Sequence, residues 1–176
     1  MDLINLINQK GVKMGSYKGI NGLITAFMEV INGFDDYRKG KKVAFAGSVG
    51  VCTPFVELLA YGVRKKGLDM VFIPGADLEK TKMMRLVEDV GYQVTEDNGD
   101  AQGSDIIVIL GGLAMPSSKK TVEDIKNLIN RINPDAKIIG IGFMGIFEKE
   151  GWIEDIGFDV VIDSTIDPVR VITVSK

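Results

Sequence analysis

Five consecutive apolar residues, Ile106-Ile107-Val108-Ile109-Leu110, run directly into Gly111-Gly112. A strand with one solvated face alternates apolar and polar side chains. An unbroken apolar run of strand length needs cover on both faces, which is the situation of a parallel sheet between layers of helix. Val43–Gly47, Met70–Ile73, Lys137–Ile141 and Val160–Ile162 are of the same kind. Helical patterns lie between several of them, so right-handed crossovers connect the strands. The pattern predicts a Rossmann-like three-layer α/β/α sandwich with a mostly parallel sheet.

The helices carry their own punctuation. Ile20, Leu23, Ile24, Phe27, Val30, Ile31 and Phe34 form one apolar stripe, with Gly33 as terminator. Leu3, Ile4 and Ile7 share a face further upstream, so residues 1–40 read as an N-terminal helical arm before an α/β core at 41–176. The arm is expected to cover one sheet face or to join a homodimer. Thr53-Pro54 opens a helix with Thr53 as N-cap, which turns Phe55, Leu58, Leu59 and Val63 inward and ends in Arg64-Lys65-Lys66-Gly67. Asp77 is expected to cap a helix through Met83, Met84, Val87 and Val90, closed by Gly91. Tyr92–Thr95 reads as a short extra strand, and Glu96–Ser104 as a polar loop. Thr121 caps a helix through Ile125, Leu128, Ile129 and Ile132, stopped by Asn133-Pro134. Gly145–Glu150 is a short helix, against which Phe147 and Trp152 pack. After an Asp167-Pro168 turn, Val169–Val174 is expected to return as an antiparallel C-terminal edge strand.

Composition removes several kinds of chemistry. The chain has 176 residues, one cysteine and no histidine. Without histidine there is no Ser-His-Asp or Cys-His catalysis and no imidazole metal ligand; no metal site is assigned, and the sequence does not name a cofactor. One cysteine cannot form an intrachain disulfide, which suits a reducing, cytoplasmic setting. A net charge of −3 argues against a nucleic-acid partner, which needs concentrated Lys and Arg. No apolar run is long enough for a membrane span, and the first residues lack the pattern of a signal peptide.

In an open parallel sheet, ligands bind beyond the carboxyl ends of the strands where strand order reverses. Those ends carry Gly47-Ser48-Val49-Gly50-Val51-Cys52-Thr53, Gly111-Gly112-Leu113-Ala114-Met115-Pro116-Ser117-Ser118, Gly142-Phe143-Met144-Gly145 and Asp163-Ser164-Thr165. Glycine admits close backbone approach, and helix N-termini favour anions. The candidate ligand-binding residues are therefore Gly47, Ser48, Gly50, Thr53, Gly111, Gly112, Met115, Ser117, Phe143 and Met144. The plainer account is that βα turns need glycine anyway. Gly47 and Gly50 lack the third glycine of a dinucleotide fingerprint, and no lysine completes a phosphate loop.

Cys52 precedes a helix, whose N-terminal dipole would lower a thiol pKa. It is the candidate nucleophile, with Glu57 and Glu148 as candidate proton carriers; the alternative is a small buried hydrophobe. Asp77 stands where a ribose-binding acid would, but an N-cap explains it better. Asp163 and Asp167 offer oxygen ligands for a divalent cation, or are turn residues.

The string Gly47-Ser48-Val49-Gly50-Val51-Cys52-Thr53-Pro54-Phe55-Val56-Glu57-Leu58-Leu59-Ala60-Tyr61 resembles an archaeal family found mainly in methanogens, domain of unknown function 2124. So do Leu110-Gly111-Gly112-Leu113-Ala114-Met115-Pro116, Phe143-Met144-Gly145-Ile146-Phe147-Glu148-Lys149 and Phe158-Asp159-Val160-Val161-Ile162-Asp163. The resemblance spans Gly19 to Asp163 and implies an archaeal cytoplasmic protein of Rossmann-like fold, without supplying a reaction. It also implies that family members can carry a second cysteine at the position of Gly142 and a serine at that of Gly145. A two-thiol mechanism is then unavailable here. Three functions are carried forward: binding of a small anionic or nucleotide-like ligand, a thiol enzyme using Cys52, and a non-catalytic regulatory or interaction protein.

Overall fold

The computed structural model describes residues 16–34 and 41–174. Leu3, Ile4 and Ile7 of the arm lie outside the described residues. Seven strands form one sheet in the order β4-β3-β2-β1-β5-β6-β7. They are β1 (Lys42–Gly47), β2 (Asp69–Pro74), β3 (Lys82–Val87), β4 (Gly91–Asn98), β5 (Ile106–Leu110), β6 (Lys137–Phe143) and β7 (Val160–Ser164). Pairings β1–β2, β1–β5, β5–β6 and β6–β7 are parallel.

Helices cover both faces, as the apolar strands require. On one side lie α1 (Gly19–Gly33) and α2 (Thr53–Gly62). Leu23, Phe27, Val30 and Ile31 of α1 pack with Val56 and Leu59 of α2 over Val43, Phe45, Ile106 and Val108. On the other side lie α3 (Val122–Ile132) and the short α4 (Ile146–Lys149) and α5 (Trp152–Ile156). There Ile125, Leu128 and Ile129 meet Phe147, Trp152 and the opposite faces of the same strands, Ala44, Ile107 and Ile109. Every residue of β5 is buried, which is the cover its sequence demanded. α3 starts as expected: Thr121 and Asp124 form a reciprocal capping box.

Two elements differ from expectation. The segment from Asp77 to Gly91 is not a helix. Asp77 caps only a single 3-10 turn, Leu78–Lys80, accepting from Glu79 N–H. The chain then turns back as β3, antiparallel to β2, and returns as β4. Asp89 and Gly91 hold positive φ at the turn between them. Met84, Tyr92 and Val94 face the α1–α2 side of the core. Met, Leu and Arg favour helix weakly, and pairing plus burial on that face outweigh the preference. The polar loop accordingly begins later, since β4 runs on to Asn98. The second difference is at the C-terminus: residues 165–174 form no strand, and the antiparallel edge of the sheet is β3–β4 instead.

Smaller shifts surround α2. Cys52, not Thr53, occupies the N-cap position; Val56 N–H already bonds the Cys52 carbonyl, and Thr53 is the first helical residue. The helix ends at Gly62, a 3-10 turn carries Arg64–Lys66, and left-handed Gly67 closes it. Val56 and Ala60 are fully buried, while Phe55 and Leu58 are partly so.

Two aspartates fasten the strand starts at the end opposite the glycine loops. Asp105 accepts from Lys41 Nζ and from Lys42 N–H, each at 2.9 Å, tying β1 to β5. Asp159 accepts from Ile138 N–H at 2.8 Å and Lys137 Nζ at 3.2 Å, tying β6 to β7. Burial pushes the Asp105 carboxyl up, but the Lys41 and Lys42 hydrogen bonds and the Lys41 charge outweigh it, so its pKa lies below the ordinary value. A carboxyl lowered in the folded state contributes stability that is full above its unfolded pKa, about 3.9, and is lost as pH falls through the folded value. Asp105→Asn is expected to lower the urea midpoint at pH 7 and to flatten its fall at acid pH. Acid limbs of equal slope in parent and variant would dissociate Asp105 from that dependence.

Candidate functional site

The chain leaves β1 to reach β2 on one side, while β5 pairs on the other side of β1. Strand order therefore reverses between β1 and β5, and their carboxyl ends carry the first two glycine loops. Cys52 stands between those loops. A Cβ on Gly47 would lie 2.7 Å from Cys52 Cβ, and one on Gly112 would lie 2.5 Å from Cys52 Sγ and 3.1 Å from Ser48 Oγ. Both positions are glycine because the Cys52 side chain fills the space a methyl group would take. Cys52 N–H bonds the Ser48 carbonyl at 3.0 Å, which curls the loop back and aims the side chain at β5.

The third and fourth loops join in sequence. A Cβ on Gly111 would meet Ile146 Cγ2 at 2.6 Å and Gly142 Cα at 3.2 Å. Gly142 in turn sits against Asp163 Oδ1, Phe147 and Ile146. Asp163 is occupied in a turn: its two oxygens accept from Gly145 N–H at 3.0 and 3.1 Å. Met144 N–H bonds the Ser164 carbonyl, and Lys149 Nζ bonds the Met144 carbonyl at 2.6 Å. The Phe143 ring packs on Phe55 of α2 at a centroid distance of 4.5 Å. The three glycine-bearing strand ends and the end of β7 thus form a continuous set of contacts along one rim of the sheet.

Around this rim, side chains divide into a buried layer and an exposed one. Gly47, Cys52 and Gly111 are buried; Ser48, Thr53, Gly112 and Phe143 are half-buried; Gly50, Met115, Ser117 and Met144 are exposed. Val49 and Val51 are also exposed, so with Met115 and Met144 they give the rim an apolar surface. These two valines carry no signal in the sequence, because an apolar residue in a turn reads equally as buried. Thr53 Oγ1 accepts from Gly50 N–H at 3.3 Å and closes the first loop. Ser118 Oγ donates to the Leu113 carbonyl and accepts from Lys120 N–H, closing the second.

Cys52 is 4% exposed. Burial pushes its pKa up; hydrogen bonds with the Ser48 and Gly112 backbones and the Ser48 hydroxyl pull it down without offsetting that rise. Glu57 points elsewhere: its Oε1 accepts from Val94 N–H of β4 at 3.0 Å. Glu148 is exposed on α4, beside Gly145. A hydrogen bond from Lys80 holds the Asp77 carboxyl below its ordinary pKa; burial pushes it up, and Glu79 N–H with the charges of Lys80 and Lys120 helps to outweigh that rise. The role of Asp77 is that of a cap. No group of three His, Cys, Asp or Glu side chains able to hold a metal occurs among the described residues. Nor is any helix among them long and apolar enough to cross a membrane.

The fit of Cys52 between two glycines generates a coupling prediction. Gly112→Ala is expected to cost roughly 1–3 kcal/mol by overpacking. Cys52→Ala in the same chain removes the sulfur, so the double variant should cost less than the sum of the singles by roughly 0.5 kcal/mol or more. Urea denaturation of the four chains measures this. Strictly additive costs would mean that the Gly112 loop moves away instead of pressing on the thiol.

The chain is 48% identical to uncharacterized protein MJ1183 of Methanocaldococcus jannaschii over 126 residues, 72% of this chain and 75% of that protein. It is 34% identical over 156 residues to an uncharacterized protein of Methanothermobacter thermautotrophicus, covering 88% of this chain and 95% of that one. A crystal structure of a protein of unknown function from Methanothermobacter thermautotrophicus has the same fold, with a TM-score of 0.78 at 31% identity, over 92% of this chain and 97% of that one. The profile of uncharacterized proteins conserved in archaea (DUF2124) matches residues 18–167, which take in α1, all seven strands and the glycine loops, and the chain belongs to that family.

Proposed function

We propose that this protein binds a small anionic or nucleotide-like molecule over the carboxyl ends of β1, β5 and β6. The observation that carries the reading is the meeting of the Gly47–Thr53 and Gly111–Ser117 loops at the point where strand order reverses, with the Phe143–Gly145 loop alongside. In open α/β sheets that point is where ligands sit. α2 starts at the same place, and a helix N-terminus favours an anion. The exposed Val49, Val51, Met115 and Met144 suit an apolar ring or chain attached to the anionic group.

A thiol-enzyme reading draws less support. A nucleophilic cysteine needs a populated thiolate and access. Cys52 is buried with a raised pKa, and the Glu57 carboxylate is engaged at β4. A lone thiol fits a reducing cytoplasmic setting, and the net charge of −3 does not favour nucleic acid.

Thermal-shift titration with nucleotides, coenzymes and small organic acids tests the proposal. A ligand at 100 times its Kd stabilises by about 2.7 kcal/mol, enough to raise Tm by several degrees. Val51→Asp and Met115→Asp place a negative charge on the exposed rim without touching the core. Each is expected to weaken binding of an anionic ligand several-fold while leaving the unliganded Tm unchanged. Failure of every probe class to raise Tm, or unchanged affinity in both variants, would defeat the assignment. The thiol reading has its own check: Cys52 should react slowly with a disulfide reagent in the native protein and titrate above about 8.5.

A further inference from the structure

The two outer strands of the sheet are treated differently. β4 has defences: Glu57 occupies the Val94 N–H, Lys82 Nζ bonds the Glu96 carbonyl and the Asn98 side chain, and exposed Glu96 and Asp97 add charge. These are the devices that keep a sheet edge from pairing with another chain. β7 pairs with β6 on one side, and no described strand pairs with its other side. Its residues Val160, Val161 and Ile162 are apolar and only partly buried.

Directly after β7 comes a segment with the composition of a strand. Val169-Arg170-Val171-Ile172-Thr173-Val174 contains five β-branched residues in six. Val169, Val171, Ile172 and Val174 are each between 77% and 91% exposed, and Ile166 is 55% exposed. No strand among the described residues takes this segment up. Burying a valine or isoleucine side chain is worth about 1.5–3 kcal/mol, so leaving five in water forgoes much of what they could contribute.

Among the described residues, a strand-like segment without a neighbour and an open sheet edge stand on the same molecule, and the two are complementary. Among the described residues the two are not joined within one copy. A second copy offers the same edge, and a twofold arrangement lets each tail use the other's. We propose that residues 169–174 of one copy add as an eighth strand beside β7 of another, reciprocally, to form a closed dimer. This interface would be separate from one made by the N-terminal arm.

Proline substitution tests the pairing, because each strand residue points its N–H alternately toward and away from a neighbour. Of Val171→Pro and Ile172→Pro, at least one must remove a donor to the partner strand. Light scattering on the full chain at tens of micromolar is expected to give twice the monomer mass of 19.2 kDa, and the effective proline variant to give the monomer with an unchanged far-UV spectrum. Hydrogen exchange is expected to show slow amides in both 160–164 and 169–174 of the parent, and loss of protection in both segments of that variant. A monomeric parent would overturn the proposal, as would a dimer that survives both prolines. So would protection lost from the tail alone, which would mean tail pairing with tail.

Discussion

Cys52 occupies the gap that two glycines leave, and the arrangement of the strand ends follows from that contact. Gly47 ends β1 and Gly112 follows β5, so the sulfur between them holds together the two strands that flank the reversal of the sheet. The same residue opens α2, whose Val56 N–H uses its carbonyl. One side chain thus fixes where the first loop turns, where the helix starts and how closely the second loop approaches. Further along the rim, Gly111 admits Ile146 and Gly142 admits Asp163. The glycines need not all be there for left-handed backbone: Gly47, Gly111, Gly112 and Gly142 lack positive φ. They are small because neighbouring strand ends lie against them.

That distinction explains what the sequence could and could not reveal about the site. Glycine after a strand is visible, and it correctly marked the loops that meet. The reason for each glycine is a contact with a residue distant in the chain, such as Gly112 with Cys52, and no local pattern encodes it. Cys52 shows the consequence. Its place before a helix suggested a lowered pKa, whereas burial between the two loops raises it. A helix dipole is a local property and can be read from sequence, but desolvation depends on the far side of the fold. Glu57 likewise looked like a proton carrier on α2, while its partner is a backbone amide of β4, a strand whose position was not foreseen.

The parallel strands were legible because burial on both faces leaves runs such as Ile106–Leu110, and α3 was legible because its capping box and stop are local. Tyr92–Thr95 reads as a strand and lies within β4, but the β3 half of the hairpin was not legible. Met83, Met84, Val87 and Val90 fall at helical spacing, and Gly91 resembles a helix terminator. A half-exposed antiparallel pair tolerates such a pattern, since only Met84, Tyr92 and Val94 need to face α2. What decides between helix and hairpin is the presence of α2 to cover that face, together with Asp89 adopting a left-handed turn. Both are outside the reach of periodicity.

Val169–Val174 is the converse case, where local preference is strong and the fold does not satisfy it. β-branched composition states what conformation a segment favours, but a strand also needs a neighbour to supply hydrogen bonds. The sheet's two edges differ in whether they offer one. At β4 a carboxylate from α2 accepts from the Val94 N–H. At β7 the outer residues are valine and isoleucine, and the strand's charged residue, Asp163, turns to the Gly145 loop. An edge built this way gains from being covered, and one end of the chain carries the residues that would cover it.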